Sequence, residues 1–112
     1  MPQITGYHFH VYFDETTQTK ATDLCTAARD ALGLTMGRIH ARCVGPHPRW
    51  SCQLTVATAQ AGEALGWFAL HRDGLTVFIH PDTGEHLRDH RDRAIWMGEI
   101  LPLKLEIFDQ AE

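Results

Sequence analysis

The heptapeptide Tyr7-His8-Phe9-His10-Val11-Tyr12-Phe13 leaves little choice of local structure. Tyr7, Phe9, Val11 and Phe13 occupy every second position, and His8, His10 and Tyr12 fill the positions between them. Successive side chains of an extended chain point to opposite faces, so the pattern predicts a strand with one buried and one polar face. A chain built on such a strand needs a core on one side. It must also find a use for two histidines on the other.

The rest of the chain punctuates clearly. Asp14 to Thr17 supplies helix-start residues, and Ala21, Leu24, Cys25, Ala28 and Leu32 follow at helical spacing, with Gly33 as the stop. Arg38 to Val44 alternates again, with Ile39, Ala41 and Cys43 toward the core and His40 and Arg42 away from it. Gly45-Pro46-His47-Pro48 must turn, because two prolines in three residues cannot sit in a sheet ladder. Trp50 to Ala57 reads as a third strand, with Cys52, Leu54 and Val56 on one face and Gln53 and Thr55 on the other. Gln60 to His71 reads as a helix, with Ala61, Leu65, Phe68 and Ala69 inward and Gly74 beyond its end. Leu75 to His80 is a fourth strand whose Thr76, Phe78 and His80 face away from the helices. A short helix is expected within Asp89 to Gly98, and a final strand carries Leu103, Leu105 and Ile107.

This order, β-α-β-β-α-β with a C-terminal strand extension, predicts an α+β, ferredoxin-like sandwich in a single domain over residues 1–112. Its helices cover one sheet face. By analogy within the fold, a second subunit covers the other, so a homodimer is expected. With 112 residues and 44% apolar content the chain suits one globular core. A net charge of −4 with scattered basic residues offers no footprint for nucleic acid. No apolar run approaches the length of a membrane span, and the N-terminus lacks a signal-peptide pattern, so a cytoplasmic protein is expected. Cys25, Cys43 and Cys52 form no CxxC pair and are expected as thiols, with Cys25 and Cys43 as small buried groups.

Eight histidines in such a chain call for an explanation. If the strands order as 4-1-3-2, the start of the first lies beside the end of the fourth. His8, His10 and His80 then share a face and converge, as metal sites require. Two histidines with a carboxylate from Glu85 or Asp82 would suit ferrous iron; three histidines would suit zinc as well. The His47 turn is expected at the opposite end of its own sheet from His8, within reach only through a second subunit or a loop path. His40 is expected on the open face of the far edge strand, and His71 on the surface at a helix C-terminus. Asp89 is expected either to orient His90 or to cap a helix.

These segments resemble the DOPA 4,5-dioxygenase family. The resemblance rests on Tyr7 to Phe13, Gly45-Pro46-His47-Pro48, Leu75-Thr76-Val77-Phe78-Ile79-His80-Pro81-Asp82-Thr83-Gly84, and Asp89-His90 followed by Ala94-Ile95-Trp96-Met97-Gly98. His71-Arg72 departs from the Asn-Arg expected before the fourth strand. The resemblance implies an extradiol dioxygenase that opens the ring of L-DOPA or a related catechol with O₂. Fe(II) is the implied cofactor, with zinc admissible in purified protein. By strand position His8, His10 and His80 are assigned to the metal, with His47 and His90 as candidates for acid–base or substrate contact. Tyr12 and Arg42 are implied on the substrate, Arg42 facing a carboxylate. The rival expectations are a non-catalytic metal- or ligand-binding dimer of the same fold, and a zinc enzyme active without O₂.

Overall fold

The structure, a computed structural model, describes residues 2–108. Strand β1 (Tyr7–Phe13) leads into helix α1 (Gln18–Leu32), then strands β2 (Thr35–His40) and β3 (Trp50–Val56). Helix α2 (Ala61–His71), strand β4 (Val77–Pro81), the short helix α3 (His86–Arg91) and strand β5 (Ile95–Met97) complete the regular elements. A 3₁₀ turn at Leu105–Phe108 ends the described chain. The five strands form one sheet in the order β2-β3-β1-β4-β5, with every neighbouring pair antiparallel. The four-strand order expected of the ferredoxin-like arrangement is therefore present, with β5 added beside β4. No helix among the described residues is long and apolar enough to cross a membrane.

A hydrogen-bonded turn leads into α1. Asp14 Oδ1 accepts from the backbone N–H groups of Thr16 and Thr17 at 2.9 and 3.1 Å, which brings the chain round into α1. Gly33 ends the helix at φ 70°, its N–H donating to the Arg29 carbonyl. Ala21, Leu24, Cys25 and Ala28 are buried, so α1 lays a small-residue stripe on the sheet. The core unites Phe9, Val11, Leu54, Val56, Val77 and Ile79 with Phe68 of α2, whose ring lies 5.3 Å from that of Phe9. Burying a side chain of this size contributes about 1.5–3 kcal/mol.

Several boundaries differ from the sequence expectation. β2 begins and ends earlier, at Thr35–His40, with a register shift between Met36 and Ile39. Gly37 sits at that irregularity, where an added Cβ would stand 3.3 Å from the Gln53 carbonyl. Ala41, Arg42 and Cys43 consequently fall beyond the strand and are exposed, so Cys43 is not a core thiol, whereas Cys25 and Cys52 are buried. On α2 the buried positions are Ala64 and Phe68, while Ala69 is exposed: the inward face is rotated from the expected one. The segment read as a helix around Ile95 and Trp96 is instead the edge strand β5, paired with β4. The strand expected at Leu103 to Ile107 is absent, and the 3₁₀ turn takes its place.

Candidate metal centre

Register builds the site. His8 lies directly opposite His80 across the β1–β4 pair, and His10 lies opposite Phe78. All four side chains share the face turned away from α1 and α2, as period-2 alternation requires. The His8, His10 and His80 ring nitrogens nearest one another all fall within 4.8 Å, and no carboxylate joins this group among the described residues. His10 Nε2 and His80 Nε2 are 3.1 Å apart. Two nitrogens bound cis to one ion at ~2.1 Å would stand ~3.0 Å apart at a right angle and ~3.4 Å at the tetrahedral angle. The observed spacing suits a common cation. The His80 Nδ1–H donates to the Pro81 carbonyl at 2.8 Å, which leaves the Nε2 lone pair directed into the cluster.

Two further histidines complete the group. His47 belongs to a turn closed by its own N–H donating to Val44, and that loop folds back over the open face within the same chain. Its ring packs on His10 at 4.3 Å between centroids, and its Nδ1 is hydrogen-bonded to the Tyr12 hydroxyl at 2.7 Å. The loop path, not a second subunit, brings it in. His90, on α3, packs on His80 at 4.0 Å, while its Nδ1–H donates to the His86 carbonyl at 2.7 Å. Phe78, Tyr12 and Trp96 form an aromatic wall beside them, with Phe78 and Trp96 stacked at 4.5 Å. Phe78 pairs with Trp96 across β4 and β5. The sequence reading gave neither residue a part; their joint alternation on one face was the available signal.

The other candidates lie elsewhere. Arg42 stands on the exposed bend after β2, on the connection leading to His47, outside the ring contacts that join the five histidines. His40 is half-buried at the end of β2, opposite Ser51. His71 is exposed and stacks on Trp67, as expected for a surface position. Asp89 neither caps α3 nor orients His90. It lies within the helix, 1% exposed, and its carboxylate accepts from Thr83 N–H and Oγ1 at 2.8 Å and from Arg93 at 2.9 Å. Glu85 is committed to Arg93 and Arg88 at 2.8 and 2.9 Å, which explains why it does not reach the histidines.

The open face is partly roofed by the chain itself. His10, Tyr12, Phe78 and His80 are all buried without a second subunit, because the His47 loop and the segment after β5 lie over them. Burial, followed by repulsion among the rings, holds His10 well below the ordinary imidazole value, and pushes His47 to about 4 and His80 to about 3. Burial also lowers His8 and His90, and raises the Tyr12 phenol so that it stays protonated. At neutral pH the face therefore presents neutral imidazoles, the form that binds a cation.

A stability prediction follows for metal-free protein. Unfolded histidine titrates near ~6.5, so acidification charges the unfolded chain first. The contribution of these groups is fully present above that value and is lost as pH falls toward about 4 and about 3. Thermal melts in chelator should show Tm falling by on the order of 10 °C between pH ~7 and ~5. A flat Tm across that window would mean the imidazoles are not held neutral by the fold.

A family model described as the Dopa 4,5-dioxygenase family matches residues 7–107. A DOPA 4,5-dioxygenase of Amanita muscaria is 28% identical over 113 residues, which cover 92% of this chain and 49% of that protein. An uncharacterised 21.2 kDa protein of Botryotinia fuckeliana is 42% identical over 72 residues, covering 57% of this chain and 39% of its own length. The chain thus spans half or less of the curated relatives it matches. A crystal structure from Nostoc punctiforme, provisionally assigned as a dioxygenase, superposes with a TM-score of 0.80 at 34% identity. That match covers 92% of this chain and 90% of the other.

Proposed function

The chain belongs to the Dopa 4,5-dioxygenase family, and from that premise we propose that it is a metal-dependent extradiol dioxygenase opening the ring of L-DOPA or a related catechol. The observation that carries this reading is the convergence of His8, His10 and His80 nitrogens within 4.8 Å, on a face of neutral imidazoles bordered by aromatic rings. These three histidines would hold Fe(II), and zinc can take the same nitrogens in purified protein. Ferrous iron, when bound, supplies open coordination positions for the two catechol oxygens and for O₂.

The protein's own groups do the remaining work in this reading. Pro81 O holds the His80 tautomer through Nδ1 and so keeps Nε2 available as a ligand. His90 is held in the same sense by His86 O, which leaves its Nε2 to take a catechol proton and later return one. His47 shares its Nδ1 with Tyr12, and that pair can pass a proton or steady a substrate oxygen. Phe78, Trp96 and Tyr12 offer flat surfaces to an aromatic substrate and exclude water. Arg42, exposed on the same connection as His47, is the candidate for the substrate carboxylate. A homodimer belongs to this reading too, by analogy within the fold. So does a cytoplasmic location.

Anaerobic reconstitution with Fe(II), followed by L-DOPA and then O₂, tests the proposal. The expected result is oxygen uptake matched to a yellow ring-opened product. Metal binding without oxygen uptake, for L-DOPA and for a panel of other catechols, would instead favour a binding module of the same fold. Turnover that proceeds without O₂ would overturn the dioxygenase reading outright.

A further inference from the structure

Residues 99–108 run from the edge strand back toward the histidine face, and two contacts fasten them there. Lys104 N–H donates to the Pro46 carbonyl at 2.8 Å, immediately before His47. Four residues later the Phe108 ring packs on His90 at 4.5 Å between centroids, tilted by 35°. Phe108 lies one residue beyond the segment matched by the family model. His90 is thus held by its hydrogen bond to His86 O at 2.7 Å and by the rings of His80 at 4.0 Å, Phe108 at 4.5 Å and, more distantly, Phe78 at 5.9 Å. Beside it is a space of about 280 Å³, lined in part by His90, Trp96, Leu101, Leu103 and Leu105. With that space adjacent and the Phe108 ring removed, one hydrogen bond, the His80 ring and the more distant Phe78 ring leave the imidazole room to turn.

We infer that Phe108 is a positioning residue, and that the strap it ends sets both flanking histidines: His90 through the ring contact, His47 through the Lys104–Pro46 bond. The inference rests on the proposed function for its catalytic consequence but not for its geometry. His8, His10 and His80 bear no contact to Phe108 within the ring set that surrounds it, which comprises His86 and His90. Loss of Phe108 should therefore separate positioning from metal binding. A misplaced catalytic group costs rate steeply, up to roughly a hundredfold for about an ångström.

The test compares Phe108→Ala, Phe108→Tyr and Ile107→Ala, the last being a half-exposed neighbour outside the site. In Phe108→Ala, kcat for catechol cleavage should fall roughly tenfold with Zn(II) affinity, measured by titration calorimetry, within about twofold of the parent. Phe108→Tyr, which keeps the ring, should restore kcat, and Ile107→Ala should leave it unchanged. In the metal-free protein the nuclear Overhauser contact between the His90 and His80 ring protons, whose centroids stand 4.0 Å apart, should weaken in Phe108→Ala and return in Phe108→Tyr. An unchanged contact in Phe108→Ala would overturn the inference, as would a parallel loss of Zn(II) affinity. If the parent protein cleaved no catechol, the proposed function would fall, and the ring-contact and affinity measurements would still decide the placement of His90.

Discussion

Replacing His10 with alanine is expected to abolish metal binding and ring cleavage together. His10 is one of the three converging imidazoles, 3% exposed, with its Nε2 3.1 Å from that of His80. It also carries the His47 ring on its face and packs near Phe78. Removing one of three ligands should weaken cation affinity on the order of a thousandfold, since structural metal sites distribute ~10–16 kcal/mol over a few ligands. His71→Ala, on the opposite side of the molecule against Trp67, should leave both properties intact. The paired measurements are Fe(II) or Zn(II) affinity under anaerobic conditions and oxygen uptake with L-DOPA. A His10→Ala protein that kept its metal affinity within about tenfold would exclude the proposed ligand set, whatever its activity.

The second large effect concerns stability. Asp89→Ala should destabilise the fold by ~1–3 kcal/mol, the usual cost of leaving buried hydrogen-bond donors unsatisfied, here those of Thr83. The carboxylate is almost fully buried and holds two groups of Thr83 and the Arg93 guanidinium, which in turn reaches Glu85. Burial opposes its ionisation, but Thr83 and Arg93 outweigh that and hold the carboxyl below its ordinary range. A depressed carboxyl contributes stability above its unfolded value of ~3.9, and that contribution is lost as pH falls through the folded value. The network sits between the end of β4 and α3, so it also spaces His80 from His90. Urea titration should show a lower midpoint with the slope unchanged. A loss below about 1 kcal/mol would mean the network is ornamental, since an exposed ion pair is worth that little.

The three central histidines were legible because they depend only on period-2 alternation and strand order. Both follow from local residues: His8 and His10 are two apart, and His80 ends the strand that the fold sets beside them. His47 depends on different information. Its position is set by contacts made far along the chain, including Lys104 to Pro46, which no local periodicity encodes. The β2 boundaries were misplaced because the alternation continues through Arg42 and Val44 although pairing with β3 ends at His40. Arg42 and Cys43 inherited that error. Ile95-Trp96-Met97 is too short a run for period to separate helix from strand, and its pairing with β4 decided the matter. Asp89 suits either a helix cap or a partner for His90 by local chemistry; only the folded loop shows Thr83 and Arg93 already claiming it.

The acceptors that fix His80 and His90 are the carbonyls of Pro81 and His86. Main-chain oxygens are present whatever side chain occupies those positions, so a point mutation can remove neither acceptor without first bending the backbone. The imidazole tautomers are thereby insulated from genetic drift. A lineage can replace most of its surface and much of its core while the protons on these two rings stay where they are. A designer transplanting the site would need to copy the bend of two backbone segments rather than a longer roster of conserved side chains.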